Sequence, residues 1–110
     1  MKETILVVIP TTASRLNILQ QVLDSVYSNS DFNIKTIIVK NGVYPDDEFL
    51  SYDFKHPNII KTHSTPGGHI SKAMNKGLEY FTNEDWFLYQ EDDLIIHDDL
   101  WLSKIINLYK

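Results

Sequence analysis

Ile5-Leu6-Val7-Val8-Ile9, followed by Pro10, decides the fold. Five consecutive aliphatic residues without polar alternation match a strand buried on both faces, as in a parallel sheet covered by helices on each side. The proline is expected to close the strand, because its ring removes a backbone donor.

Downstream, the polar turn Thr11-Thr12-Ala13-Ser14 leads into Leu16, Leu19, Val22, Leu23 and Val26. That spacing predicts a helix from about 15 to 28, with Ser14 as its cap. Ser28-Asn29-Ser30-Asp31 breaks the helix, and Ile34 to Val39 reads as a second β-branched strand ending at the turn pair Asn41-Gly42. The segment from Tyr44 to Pro57 reads as a loop with one helical turn, and Asn58 to Thr62 as a short third strand. Pro66-Gly67-Gly68 opens a helix whose Ile70, Ala73, Met74, Gly77, Leu78 and Phe81 share one face. Trp86 to Tyr89 is the fourth strand, with Trp86, Phe87 and Tyr89 as core, and it runs directly into Glu91-Asp92-Asp93. Leu100 to Leu108 is a closing helix, with Trp101 and Tyr109 on its inner face.

Strands alternating with helices imply right-handed crossovers. The expected fold is therefore a single α/β domain over residues 1–110, Rossmann-like, with a mostly parallel sheet of about four strands and helices on both faces. In such sheets ligands sit at the carboxyl ends of the strands, an edge that here collects Thr11, Thr12, Asn41, Gly42, Gly67, Gly68, Glu91, Asp92 and Asp93.

Composition narrows the chemistry. With 15 acidic against 10 basic side chains and a formal charge of −5, the chain lacks the basic footprint of a nucleic-acid binder. No apolar run approaches the roughly 20 residues of a membrane span, and the apolar stretch after Thr4 is too short for a signal-peptide core. The absence of cysteine removes disulfide scaffolds, thiolate metal sites and cysteine nucleophiles, and makes a cytoplasmic setting the expectation.

Three adjacent carboxylates at a strand end repel one another, so either a cation or solvent must neutralise them. Mg²⁺ and Mn²⁺ prefer oxygen ligands, commonly one or two carboxylates plus phosphates and water. A divalent-metal site holding a diphosphate and a solvated acidic turn both remain open from the triplet alone. Gly67 and Gly68 before a helix, with Lys72 and Lys76 in its first turns, suit an anionic ligand, and the glycine pair taken alone reads equally as a tight turn. No mononucleotide or dinucleotide glycine motif is present. His56, His63, His69 and His97 have no helical metal-ligand spacing and read as surface or loop residues. Ser14, Ser64 and Ser71 lack a nucleophile elbow.

In this order the motifs resemble family 2 glycosyltransferases. Ile5 to Arg15 resembles the family's opening Val-Ile-Ile-Pro-Thr-Tyr-Asn-Arg, and Lys35 to Gly42 its second strand with an acidic end. Gly67 to Gly77 is similar to its Gly-x-x-x-Ala-x-Asn-x-Gly helix, and Trp86 to Leu94 to its Asp-x-Asp strand end. The resemblance spans residues 4 to about 109. It implies a GT-A fold, a nucleotide-diphospho-sugar donor, an acceptor of unspecified type, and Mn²⁺ or Mg²⁺ held by Asp93, with Asp92 and Glu91 beside it. It further implies Thr11, Arg15, Asn41, Gly42, Lys72, Asn75 and Asp92 as nucleotide-sugar-binding residues.

The departures are specific. Lys40 and Val43 stand where the family has an acidic residue and a serine, and Gln90 replaces the first Asp of the metal motif. Family members continue for another hundred residues or more, a part that carries acceptor contacts and the catalytic base. The expectation is therefore a donor-binding half, able to self-associate through an exposed sheet edge. A non-catalytic α/β binding or assembly module is the competing reading.

Overall fold

The computed structural model describes residues 2–41, 47–64 and 70–110. Its elements run β1 (Glu3–Thr11), α1 (Leu16–Tyr27), β2 (Phe32–Lys40), α2 (Asp47–Ser51), β3 (Ile59–His63), α3 (Ile70–Leu78), β4 (Trp86–Tyr89) and α4 (Trp101–Asn107). The strands form one all-parallel sheet in the order β3-β2-β1-β4, the α/β arrangement expected of these alternating elements.

β1 is flanked by β2 and β4, and Ile5 through Ile9 are essentially inaccessible to solvent. Alternation divides these side chains between two apolar layers. Ile5, Val7 and Ile9 join Leu19, Val22, Leu23 and Val26 of α1 and Trp101, Leu102 and Ile106 of α4. Leu6 and Val8 join Ile37, Val39 and Ala73 on the α3 side. Each fully buried aliphatic side chain contributes about 1.5–3 kcal/mol, so the strand without alternation is the centre of the molecule.

β1 runs through Pro10 to Thr11, where closure at the proline was expected. The ladder explains this. The Val8 carbonyl accepts from Gln90 N at 2.9 Å, while the Thr11 carbonyl accepts from Asn41 N at 2.7 Å. Backbone groups of even-numbered residues in this stretch therefore face β4, which ends at Tyr89. The missing donor of Pro10 falls where the ladder has already stopped.

Four further expectations change. The residue preceding α1 is Arg15, without a side-chain capping bond, and Ser14 Oγ instead lies 3.0 Å from Thr12 Oγ1. On α3 only Ala73 and Gly77 are buried, whereas Ile70, Leu78 and Phe81 are exposed. Gly77 is required by close approach: a Cβ there would lie 2.7 Å from Val8 Cγ2 and closer still to Cγ1. At the end of the chain, Trp101 is buried but Tyr109 is 76% exposed. The aromatic side chains of β4 are half-buried, because among the described residues no strand lies along its outer side.

The α1 and α4 helices are joined by a side chain whose role composition does not reveal. Asn29 is buried, donates through Nδ2 to the Ser25 and Val26 carbonyls at 3.1 and 3.0 Å, and accepts from Leu102 N at 3.0 Å. It satisfies terminal backbone groups of both helices at once.

Candidate functional site at the carboxyl edge of the sheet

The parallel strands bring Thr11, Lys40 and His63 into register at one edge, with the turn after β4 alongside. The Thr11 hydroxyl donates to Asp92 Oδ2 at 2.8 Å and accepts from Ala13 N at 3.0 Å. Ala13 adopts a left-handed backbone, φ 61°, which costs an L-residue roughly 1–2 kcal/mol. Thr11, itself buried, thus fixes the direction of the chain after β1 and the orientation of the Asp92 carboxylate.

Gln90 is buried and turns inward. Its Nε2 donates to the Leu94 carbonyl at 3.0 Å and to the Glu91 carbonyl at 3.4 Å, bracing the acidic turn from within. A carboxylate at position 90 would present only acceptors to those carbonyls. The sequence offered a signal here, an amide where the motif has an acid, but the inward direction of the side chain emerges only from the fold.

Asp92 is half-buried, while Glu91 and Asp93 are exposed. Burial, and then the charges of Glu91 and Asp92, push the Tyr89 hydroxyl above its ordinary pKa. The triplet supplies hard oxygen donors of the kind Mg²⁺ and Mn²⁺ take. Among the described residues no three His, Asp or Glu side chains converge as a ready-made ion cage. A divalent ion shared with a diphosphate needs only one or two protein carboxylates, so the donor set fits that use.

The other candidate residues fall in two places. Asn41 lies beside Thr11 through its backbone bond, and its Oδ1 accepts from Ser64 Oγ at 3.4 Å. Lys72 and Asn75 face a separate cleft with His63 and Ser64 on the β3 side. Arg15 is exposed before α1. Gly42, Val43, Pro66, Gly67, Gly68 and His69 lie outside the described residues. His56 stacks on Tyr27 with ring centroids 4.5 Å apart and meets Asp24 at 2.7 Å, and His97 is exposed. Lys40, where the family has an acid, is buried at the end of β2.

No helix among the described residues is long and apolar enough to cross a membrane. Comparison with curated proteins finds no match. The family model described as "Glycosyl transferase family 2" matches residues 6–110. That match runs from the central strand through the acidic turn to the closing helix, and the chain therefore belongs to glycosyl transferase family 2.

Proposed function

We propose that this chain binds a nucleotide-diphospho-sugar along the carboxyl edge of its sheet and takes part in transfer of the sugar to an acceptor. The observation that carries this reading is the 2.8 Å bond from Thr11 to Asp92, which joins the loop after β1 to the acidic turn after β4. In an open α/β sheet a ligand lies in that position, across the ends of adjacent strands.

In this reading Asp93, exposed and free to meet a ligand, is the main carboxylate for Mn²⁺ or Mg²⁺, with Glu91 beside it and Asp92 oriented by Thr11. Bound there, a divalent ion supplies positive charge against the departing diphosphate. Thr11, Arg15, Asn41 and Gly42 border the nucleotide. Lys72 and Asn75 extend the polar rim on the α3 side. In the transfer, the acceptor oxygen bonds to the anomeric carbon as the bond from that carbon to the nucleoside diphosphate breaks. The acceptor proton passes to a general base, a role assigned to none of these residues. The cysteine-free sequence supports a cytoplasmic setting.

Among the described residues no strand pairs with the outer side of β4, which favours a second reading, a non-catalytic module that assembles through that edge, either with another copy or with a partner. Calorimetric titration with UDP, GDP and dTDP separates the two, with and without Mn²⁺, on the wild type and on Asp93→Ala. Metal-dependent binding of one nucleotide, lost in Asp93→Ala, is the expected result. Absence of binding for all three nucleotides would overturn the donor-site reading in favour of the assembly module.

A further inference from the structure

A second polar cleft, of about 310 Å³, opens between the end of β3 and one flank of α3. His63 and Ser64 line it from the strand side; Lys72, Asn75 and Lys76 line it from the helix and Glu79 from the turn that follows. These last four stand at i, i+3, i+4 and i+7, a single stripe along α3 and the turn after it. The opposite stripe, Ala73 and Gly77, is buried, with Gly77 close against Val8 of β1. The close approach that removes side-chain volume on one flank thus sets the polar stripe at a fixed position beside the strand ends.

The character of the cleft is that of a donor set. Lysine ammonium groups donate only, and the asparagine and histidine each contribute a donor as well, while the serine hydroxyl donates to Asn41 Oδ1. Its one acid, Glu79, is held by Lys76 at 3.2 Å. Lys72 has no ion pair among the described residues, and it projects into this cleft in a protein whose net charge is −5. The acidic turn lies toward the other side of the sheet: Thr11 is two strand spacings, ~10 Å, from β3. The rim between them is continuous, through the Thr11 carbonyl to Asn41 N at 2.7 Å and Asn41 Oδ1 to Ser64 Oγ at 3.4 Å.

We infer that this cleft is an oxyanion subsite that takes a phosphate group other than the diphosphate assigned to the acidic turn. The phosphate belongs to a separate phosphorylated molecule, because a nucleotide-diphospho-sugar carries no phosphate beyond its diphosphate. Lys72 supplies the charge, with Lys76 beside Glu79 adding to it, and His63 and Asn75 supply directional donors. The cleft shares Lys72 and Asn75 with the donor-site reading, but no metal enters it, so phosphate binding without metal tests it apart from that reading.

The test follows the ring protons of His63 by NMR in the full chain, assigned with His63→Gln, during titration with inorganic phosphate in the absence of divalent metal. The expected result is a saturable shift of the His63 signal that sodium chloride at equal ionic strength does not reproduce. In the Lys72→Gln/Lys76→Gln double variant the affinity should fall by at least about tenfold, as expected for loss of charge-assisted hydrogen bonds. Both lysines are on the helix surface, and an unchanged ligand-free spectrum confirms the fold. Asp93→Ala should bind phosphate as the wild type does, so failure of the metal site and failure of this cleft are separable. An unsaturable shift, the same shift with chloride, or undiminished affinity in the double variant would overturn the proposal. Titration of UDP into the phosphate-loaded protein completes the test. Simultaneous binding is the expected result, and displacement of phosphate by UDP would overturn a site separate from the donor's.

Discussion

Thr11 and Asp92 are 81 positions apart in the chain and 2.8 Å apart in the fold, hydroxyl to carboxylate. The bond links the end of the first strand to the turn after the last, and the same hydroxyl accepts from Ala13 N. Thr11→Val, close to isosteric, removes both interactions and leaves Asp92 without its described donor. The expected cost is about 1–2 kcal/mol in urea denaturation. Calorimetry should show a weakened metal-dependent nucleotide affinity in the same variant, while Thr11→Ser retains both properties.

Gly77 meets Val8 so closely that a methyl group has no room. Gly77→Ala gains helix propensity but overpacks the interface, and the second effect wins because the obstructing Val8 lies in the fully buried central strand. A loss of about 1–3 kcal/mol is expected by chemical denaturation. Val8→Ala in the same chain should recover part of it, so that the double-mutant cycle shows coupling of more than about 0.5 kcal/mol. Additive effects would contradict the packing argument.

Asn29 holds the end of α1 and the start of α4 through three hydrogen bonds. Asn29→Leu leaves the Leu102 N–H without its described acceptor and forces a branched chain into the place of the amide. The Ser25 and Val26 carbonyls lose one donor each but keep Trp101 Nε1 and the backbone N–H of residue 29. Thermal and urea unfolding should register a loss of about 2–4 kcal/mol. Asn29→Asp keeps the acceptor for Leu102 N but loses the donors to Ser25 and Val26, so it should also destabilise.

Glu84 supplies an acid-sensitive element. Its side chain is only 4% exposed, and burial by itself would raise its pKa. That effect is outweighed by the backbone N–H groups of Thr82 and Glu84, the charge of Lys35 and the Thr82 hydroxyl, so the carboxyl titrates below its ordinary value of 4.5. A group with a lowered folded pKa stabilises fully above its unfolded value and loses that contribution as pH falls through the folded one. Stability measured from pH 7 downward should therefore fall below about pH 4.5. In Glu84→Gln, stability at pH 7 should be lower by about 1–2 kcal/mol, and the acid-dependent decline should be smaller. An unchanged slope would remove Glu84 from the account.

Most of the architecture is legible in local patterns because the strands are buried on both faces and the helices on one. The run from Ile5 to Ile9 and the heptad-like spacing from Leu16 to Val26 leave few other ways to exclude water. Where the sequence misleads, the deciding quantity is nonlocal. Whether Pro10 ends β1 depends on which neighbour its nitrogen faces. The exposure of Tyr109 depends on where α4 runs past the sheet, and the inward turn of Gln90 depends on the Leu94 carbonyl across its loop. The acidic turn and Thr11 were visible as candidates for the same edge. Their direct bond was not, since no local spacing relates residues 81 apart. The cleft of Lys72 and Asn75 was likewise visible only as part of a nucleotide-side helix, because His63 and Ser64 reach it from another element.

An all-parallel sheet with its first strand in the interior also sets an order of events for a chain made from its amino end. β1 pairs with β2 as soon as about forty residues are available, but its other side stays bare until Trp86 to Tyr89 arrive. Pairings over such separations are slow to form and leave apolar surface open meanwhile. The acidic turn follows β4, so the carboxyl edge is completed late: the part of the molecule that would meet a ligand is assembled only after the framework that supports it.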